Sequence, residues 1–159
     1  MATMFIVGCR KDFWSATDFS NLDEIPRVDL ETSASAVVPR DEFLQEVHSK
    51  RLVVLVHGYN NEERDVTSSY GTIDRRMRLL GFLGGGTAAY DGVVGFAWPG
   101  GAVGVSFPFA RQRAGETAVR FAALLTTLKT AGATVDLNTH SLGAHVVFEA
   151  LREGSPRMV

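Results

Sequence analysis

The chain has 159 residues, 45% of them hydrophobic and 21% charged, with a formal net charge of −2. This length predicts one domain with a buried core. The charge argues against a nucleic-acid partner, which would favour a basic surface. No apolar run approaches the roughly 20 residues that span a bilayer. The lone cysteine, Cys9, excludes an internal disulfide. Because no signal peptide is recognisable at the start, we expect a cytoplasmic protein.

Short apolar runs alternate with helical patterns. Strands are predicted at 4–9, 52–56, 92–98 and 134–138, and helices at 39–50, within 62–83, at 114–130 and at 143–152. Residues 11–38 are turn-rich without clear periodicity, and Phe107 and Phe109 are assigned to a loop. The alternation predicts an α/β fold, with a mostly parallel sheet covered by helices on both faces.

The apolar positions within these elements predict how each is buried. The run 52–56 (LVVLV) has no polar alternation, which is typical of a central parallel strand buried on both faces. In the last helix, the predicted buried stripe comprises Ala144, Val147, Phe148 and Leu151. Ligands of such sheets bind at the carboxyl ends of the strands. The loops 57–61, 98–101 and 140–143 lie there.

Ser141 is the candidate nucleophile. It stands in Thr139-His140-Ser141-Leu142-Gly143, between a predicted strand and a predicted helix. A serine exposed on a sharp strand-to-helix turn needs small neighbours two residues before and after it. Gly143 meets that need, and Thr139 stands where glycine is usual. The alternative is that Ser141 only caps the helix, a position that favours serine.

An acyl-transfer site also needs backbone N–H groups directed at the developing oxyanion. One candidate donor is Leu142, which follows the serine at a helix N-terminus. The other is Tyr59, because Gly58 allows the loop after 52–56 to turn close to a substrate. The alternative, a tight turn that simply needs glycine, does not explain why this loop occurs together with Ser141.

Three motifs resemble the α/β-hydrolase superfamily, and in particular a bacterial esterase-like subfamily of poorly defined function. They are VLVHGYNN (54–61), GFAWPGG (95–101) and NTHSLGAHVVFEAL (138–151), and MFIVGCR (4–10) resembles the first strand of that subfamily. Their order matches the third, fourth and fifth strands of the superfamily fold, in three layers. The resemblance implies a serine esterase without a cofactor. The residues shaping the site would be His57, Gly58, Asn60, His140 and Gly143, around Ser141 as nucleophile and the N–H groups of Tyr59 and Leu142 as oxyanion hole.

The superfamily places its acid and histidine after the nucleophile, and this sequence departs from that pattern. Residues 152–159 (REGSPRMV) contain no histidine. The four histidines are His48, His57, His140 and His145, and none is expected to reach Ser141 as a general base. We therefore expect 1–159 to be a single, partial domain that lacks the C-terminal strands, with base and acid on another segment or chain.

The strand at 134–138 would then be an open sheet edge, a template for pairing with another chain. Two function classes follow. The first is a serine esterase acting on a small-molecule ester. The second is a non-catalytic hydrolase-fold module that binds a partner through this edge, as a homodimer or with a complementing chain. No set of residues has metal-ligand spacing, so we expect no metal site.

Overall fold

A computed structural model describes residues 3–9, 25–84, 86–101 and 106–154, with side chains described as far as 152. Within those ranges the chain forms six strands and four helices. The strands are β1 (Thr3–Gly8), β2 (Ile25–Asp29), β3 (Ser35–Val38), β4 (Arg51–Val56), β5 (Gly92–Ala97) and β6 (Thr134–Thr139). The helices are α1 (Arg40–Val47), α2 (Glu63–Leu79), α3 (Phe107–Thr130) and α4 (Gly143–Gly154).

The strands form one mixed sheet in the order β3-β2-β1-β5-β4-β6. The four strands β1, β5, β4 and β6 are parallel, as the sequence predicts, whereas β2 and β3 pair antiparallel at one side. Because β4, β5 and β6 are parallel neighbours, the loops that follow them meet at the same end of the sheet. The three sequence motifs are thereby brought together.

The β2–β3 hairpin lies within residues 11–38, a stretch predicted to be turn-rich and in which no strand was predicted; residues 11–24 of that stretch lie outside the described ranges. These strands were missed because they are short and because three of the four β3 residues are exposed, which removes the hydrophobic alternation. Asp29 holds the connecting turn, since its carboxylate accepts hydrogen bonds from the backbone N–H groups of Glu31 and Thr32 at 2.8 and 2.9 Å. Those bonds lower the Asp29 pKa.

Helices cover both faces of the sheet, which is the predicted three-layer arrangement. One core cluster joins the sheet to α1, α3 and α4, and includes Phe43, Phe121 and Val146. The cluster on the opposite face joins it to α2 through Val66 and Tyr70. As predicted, β4 is buried on both faces from its second residue onward.

Two predicted features of the helices are wrong. Phe107 and Phe109 lie in the first turn of α3, which begins seven residues earlier than predicted, after Ser106 and with Pro108 in its first turn. In α4 the buried side is formed by Val146, Val147 and Ala150, whereas Phe148 and Leu151 are 70% and 48% exposed. The apolar residues of α4 extend around more than one side of the helix, so spacing alone placed the buried stripe wrongly.

β6 lies at the end of the described sheet, paired only with β4. Its residues alternate between exposed and half-buried. Thr134, Asp136 and Asn138 are the exposed ones, while Val135 and Leu137 pack against the larger core cluster. None of the helices within the described ranges is long and apolar enough to cross a membrane.

Candidate active site

Ser141 occupies a strained turn between β6 and α4. Its backbone φ is 52°, in the left-handed region that residues with a Cβ atom rarely adopt. The turn is fixed on both sides, because the His140 N–H donates to the Val56 carbonyl at 3.0 Å and the Gly143 N–H donates to the His140 carbonyl at 2.9 Å. An ordinary N-cap residue is extended, with negative φ. The turn therefore differs from an ordinary N-cap and has the strained strand-to-helix form that a nucleophile elbow would need, and Ser141 is exposed.

Close packing around the elbow requires glycine at two positions. A Cβ atom at Gly143 would lie 2.7 Å from the Val56 carbonyl oxygen, so α4 can start against the end of β4 only with glycine there. A Cβ atom at Gly58 would lie 2.8 Å from His140 Nδ1 and 3.0 Å from Ser141 Cβ. The loop after β4 and the serine turn are thus in direct contact, as an oxyanion hole requires.

The backbone of the Gly58 loop is set by its neighbours. Asn60 has a φ of 58° and donates its N–H to the Gly100 carbonyl at 3.2 Å, which ties this loop to the one after β5. The Asn61 side chain donates to the Tyr59 carbonyl at 2.8 Å. Tyr59 therefore lies in a rigid segment that begins beside Ser141. The other candidate donor, Leu142, is buried at the start of α4, and none of the described residues accepts its N–H.

His57 is a structural residue at the base of this loop. The Trp98 backbone N–H donates to His57 Nε2 at 3.0 Å, so that nitrogen carries no proton. Nδ1 lies 2.9 Å from the Gly58 carbonyl and is therefore the nitrogen that donates. The Trp98 indole N–H donates to the His57 carbonyl at 2.7 Å, and the two rings stack at 5.5 Å. With both ring nitrogens engaged and the ring only 3% exposed, His57 is unsuited to be a general base.

Tyr70 joins the ends of β4 and β5 beneath the site. Its hydroxyl accepts the His57 N–H at 3.0 Å and lies 3.0 Å from the Leu55 carbonyl and 2.7 Å from the Phe96 carbonyl. Sequence reasoning missed this residue. The available signal was Gly95 within the strand GVVGFA, because a Cβ atom there would lie 2.6 Å from the Tyr70 ring.

The other histidines are distributed around the molecule. His48 follows α1 at the opposite end of the sheet from Ser141. His140 is exposed and its ring lies against Gly58, while His145 is half-buried in the first turn of α4. Within the described ranges, neither His140 nor His145 forms a hydrogen bond or ion pair with a carboxylate. In a catalytic triad, an acid holds the histidine in its active orientation. No such histidine–acid pair is found among the described residues.

The cavities differ in their relation to this site. One cavity, of about 560 Å³, lies between α1 and α3 and is lined by residues such as Leu44 and Thr130, away from Ser141. A cavity of about 410 Å³ lies next to the elbow, between α2 and β6, and its lining includes His140 and Asn138. Of these two cavities, the second is the one that a substrate bound at Ser141 could enter, because His140 lines it. In the described part of the chain, no group of three or more His, Cys, Asp or Glu side chains could hold a metal ion.

The site residues predicted from the sequence therefore lie together. No histidine paired with a carboxylate lies beside them within the described residues. A family model described as "Alpha/beta hydrolase of unknown function (DUF900)" matches residues 31–158 of the chain. No match was found among curated proteins or among solved structures.

Proposed function

The chain belongs to this family of alpha/beta hydrolases of unknown function, and on that premise we propose that it acts as a serine esterase with Ser141 as its nucleophile. The reaction is the hydrolysis of a carboxylic ester through an acyl-enzyme on Ser141. The proposal is supported by the sequence motifs, by the geometry of the elbow and by the family's fold.

The single observation that carries the proposal is the left-handed backbone of Ser141, whose φ is 52°. A non-glycine residue in this region costs of order 1–3 kcal/mol and persists where the surroundings enforce it, often at functional sites. Here the surroundings are the end of β4 and the Gly58 loop. A serine that served only as a helix cap would not need this conformation.

In the proposed reaction, Ser141 Oγ attacks the ester carbonyl carbon and its proton passes to a general base. The Tyr59 and Leu142 N–H groups stabilise the oxyanion, which is the larger part of catalysis in sites of this kind. The oxyanion collapses, the carbonyl–alkoxide bond breaks, and the alcohol leaves with the proton. Water then releases the acid by the same route. We propose that the base and its acid partner are supplied from outside the described residues.

Ester hydrolysis by wild type and by Ser141→Ala tests this function. The wild-type chain should hydrolyse a short-chain aryl ester slowly, since removing a triad member leaves about 10³- to 10⁴-fold acceleration over water in known cases. Ser141→Ala should remove that activity while the circular dichroism spectrum stays unchanged. Ser68→Ala, at an exposed serine of α2 outside the cavity beside the elbow, is the matched control. Activity that persists in Ser141→Ala would overturn the assignment.

A second candidate function, binding a partner through β6, is favoured by one observation. The open backbone of β6 lies near α4, whose Phe148 and Leu151 are largely exposed, and both features are typical of interaction surfaces. We propose that a second copy of the chain pairs there. Light scattering should give a dimer for wild type and a monomer for Phe148→Glu. Val119→Glu, at a 64% exposed site of α3, should leave the dimer intact. A monomeric wild type would exclude pairing between two copies of the chain.

A further inference from the structure

Two aromatic side chains, one half-buried and one exposed, are in contact beside the proposed oxyanion loop. The Tyr59 ring contacts the Phe107 ring edge to face, with centroids 5.6 Å apart and an interplanar angle of 85°. Tyr59 directly follows Gly58, which packs against Ser141. The two rings therefore form an apolar wall, which begins on the same loop that contacts Ser141 through Gly58.

Only the Phe107 side of the wall is open, because Tyr59 is half-buried and packs against the larger core cluster. Phe107 is 52% exposed and Phe109 is 39% exposed, although aromatic residues of this kind are usually core residues. The Arg113 guanidinium lies 5.0 Å from the Phe109 ring centroid and so covers one face of that ring. Phe107 is thus the more open of the two phenylalanines. The start of α3 holds it in place, with Pro108 stiffening the first turn.

From this arrangement we infer that the Tyr59–Phe107 wall binds the acyl chain of the substrate, and that the preferred substrates are esters of apolar acids with several methylene groups. This inference rests on the proposed esterase function. If the Tyr59 N–H binds the carbonyl oxygen, the acyl chain on that carbonyl starts within reach of the Tyr59 side chain. Each methylene buried against the rings then adds to transition-state binding.

The test compares 4-nitrophenyl acetate with 4-nitrophenyl octanoate in wild type and three variants. Wild type should favour the octanoate in kcat/KM. Because about half of the Phe107 surface is open to a substrate, Phe107→Ala should lower the octanoate-to-acetate ratio about fivefold to tenfold, equal to about 1–1.4 kcal/mol. Phe107→Leu should retain most of the ratio. Phe82→Ala is the matched control, because Phe82 is 50% exposed in the connection between α2 and β5, away from the elbow.

A second readout separates this inference from the proposed function. Octanoate binding to Ser141→Ala, followed by NMR titration, needs no catalysis. Adding Phe107→Ala to that variant should weaken binding about fivefold, whereas adding Phe82→Ala should not. If Phe107→Ala weakens octanoate binding but wild type has no esterase activity, the apolar binding site is supported and the esterase function is rejected. An unchanged octanoate-to-acetate ratio, or unchanged octanoate affinity, in Phe107→Ala would overturn the inference.

Discussion

Replacing Ser141 by glycine and, separately, by alanine should measure the strain stored at the elbow. Both variants lose the nucleophile, so they differ only in the Cβ atom. At a φ of 52°, a residue with a Cβ atom is about 1–2 kcal/mol less stable than glycine. The greater freedom of glycine in the unfolded chain offsets about 0.4–1 kcal/mol of this. Ser141→Gly should therefore be more stable than Ser141→Ala by about 0.5–1 kcal/mol.

Thermal and urea unfolding of the two variants would measure this difference, which corresponds to a Tm shift of about 1–4 °C for a chain of this size. The same pair of substitutions at Ser69 provides a control of opposite sign. Ser69 is exposed within α2, where glycine is about 1 kcal/mol less stable than alanine. If Ser141 behaves like Ser69, its backbone is not left-handed, and the argument for a nucleophile elbow fails.

Three further predictions concern the packing, the oxyanion loop and the response to acid. Gly143→Ala should destabilise the fold by about 2 kcal/mol or more in urea unfolding, because the alanine Cβ would overlap the end of β4. As a control, Gly115→Ala, in open space on α3, should stabilise the fold by about 0.5–1 kcal/mol. Equal effects of the two substitutions would count against the close approach of α4 to β4. Tyr59→Pro removes an N–H and should lower esterase kcat about 100- to 1,000-fold, while Tyr59→Phe should change it little; similar losses would argue against a backbone role. The hydrogen bond from Arg51 lowers the Asp91 pKa. The stabilisation by this pair is therefore present above the unfolded pKa of about 3.9 and is lost as the pH falls through the lower pKa of the folded state. The free energy of unfolding should fall less steeply with acid in Asp91→Asn than in wild type, and an identical profile would contradict the pairing.

Much of the fold could be predicted because its signals are local. The β4 run LVVLV is apolar at every position, which only a strand buried on both faces explains well. The glycines at 58 and 143 indicated close backbone approach, and the structure brings both to the elbow. The parallel order of β4, β5 and β6 follows from the helices between them.

The remaining features depend on tertiary context. The hairpin β2–β3 has a largely exposed outer strand, so the sequence carries no period-two pattern there. The orientation of α4 depends on which neighbours it packs against, and Phe148 fits the helical stripe as well as Val146 does. The spacing of Tyr70 gave no sign of its role, because a buried tyrosine inside a polar helix has no distinctive spacing. The one sequence feature that relates to the position of Tyr70 is Gly95, since a side chain there would collide with the Tyr70 ring.

The most direct test of the central claim is the site at which a fluorophosphonate probe labels the chain, located by peptide mass spectrometry. Ser141 should be labelled in preference to the other serines, because only its hydroxyl is presented on the elbow beside the proposed oxyanion donors. The label should disappear in Ser141→Ala and persist in Ser68→Ala, whose serine is exposed and lies outside the cavity beside the elbow. Labelling that is absent from Ser141, or equally strong in Ser141→Ala, would contradict the account.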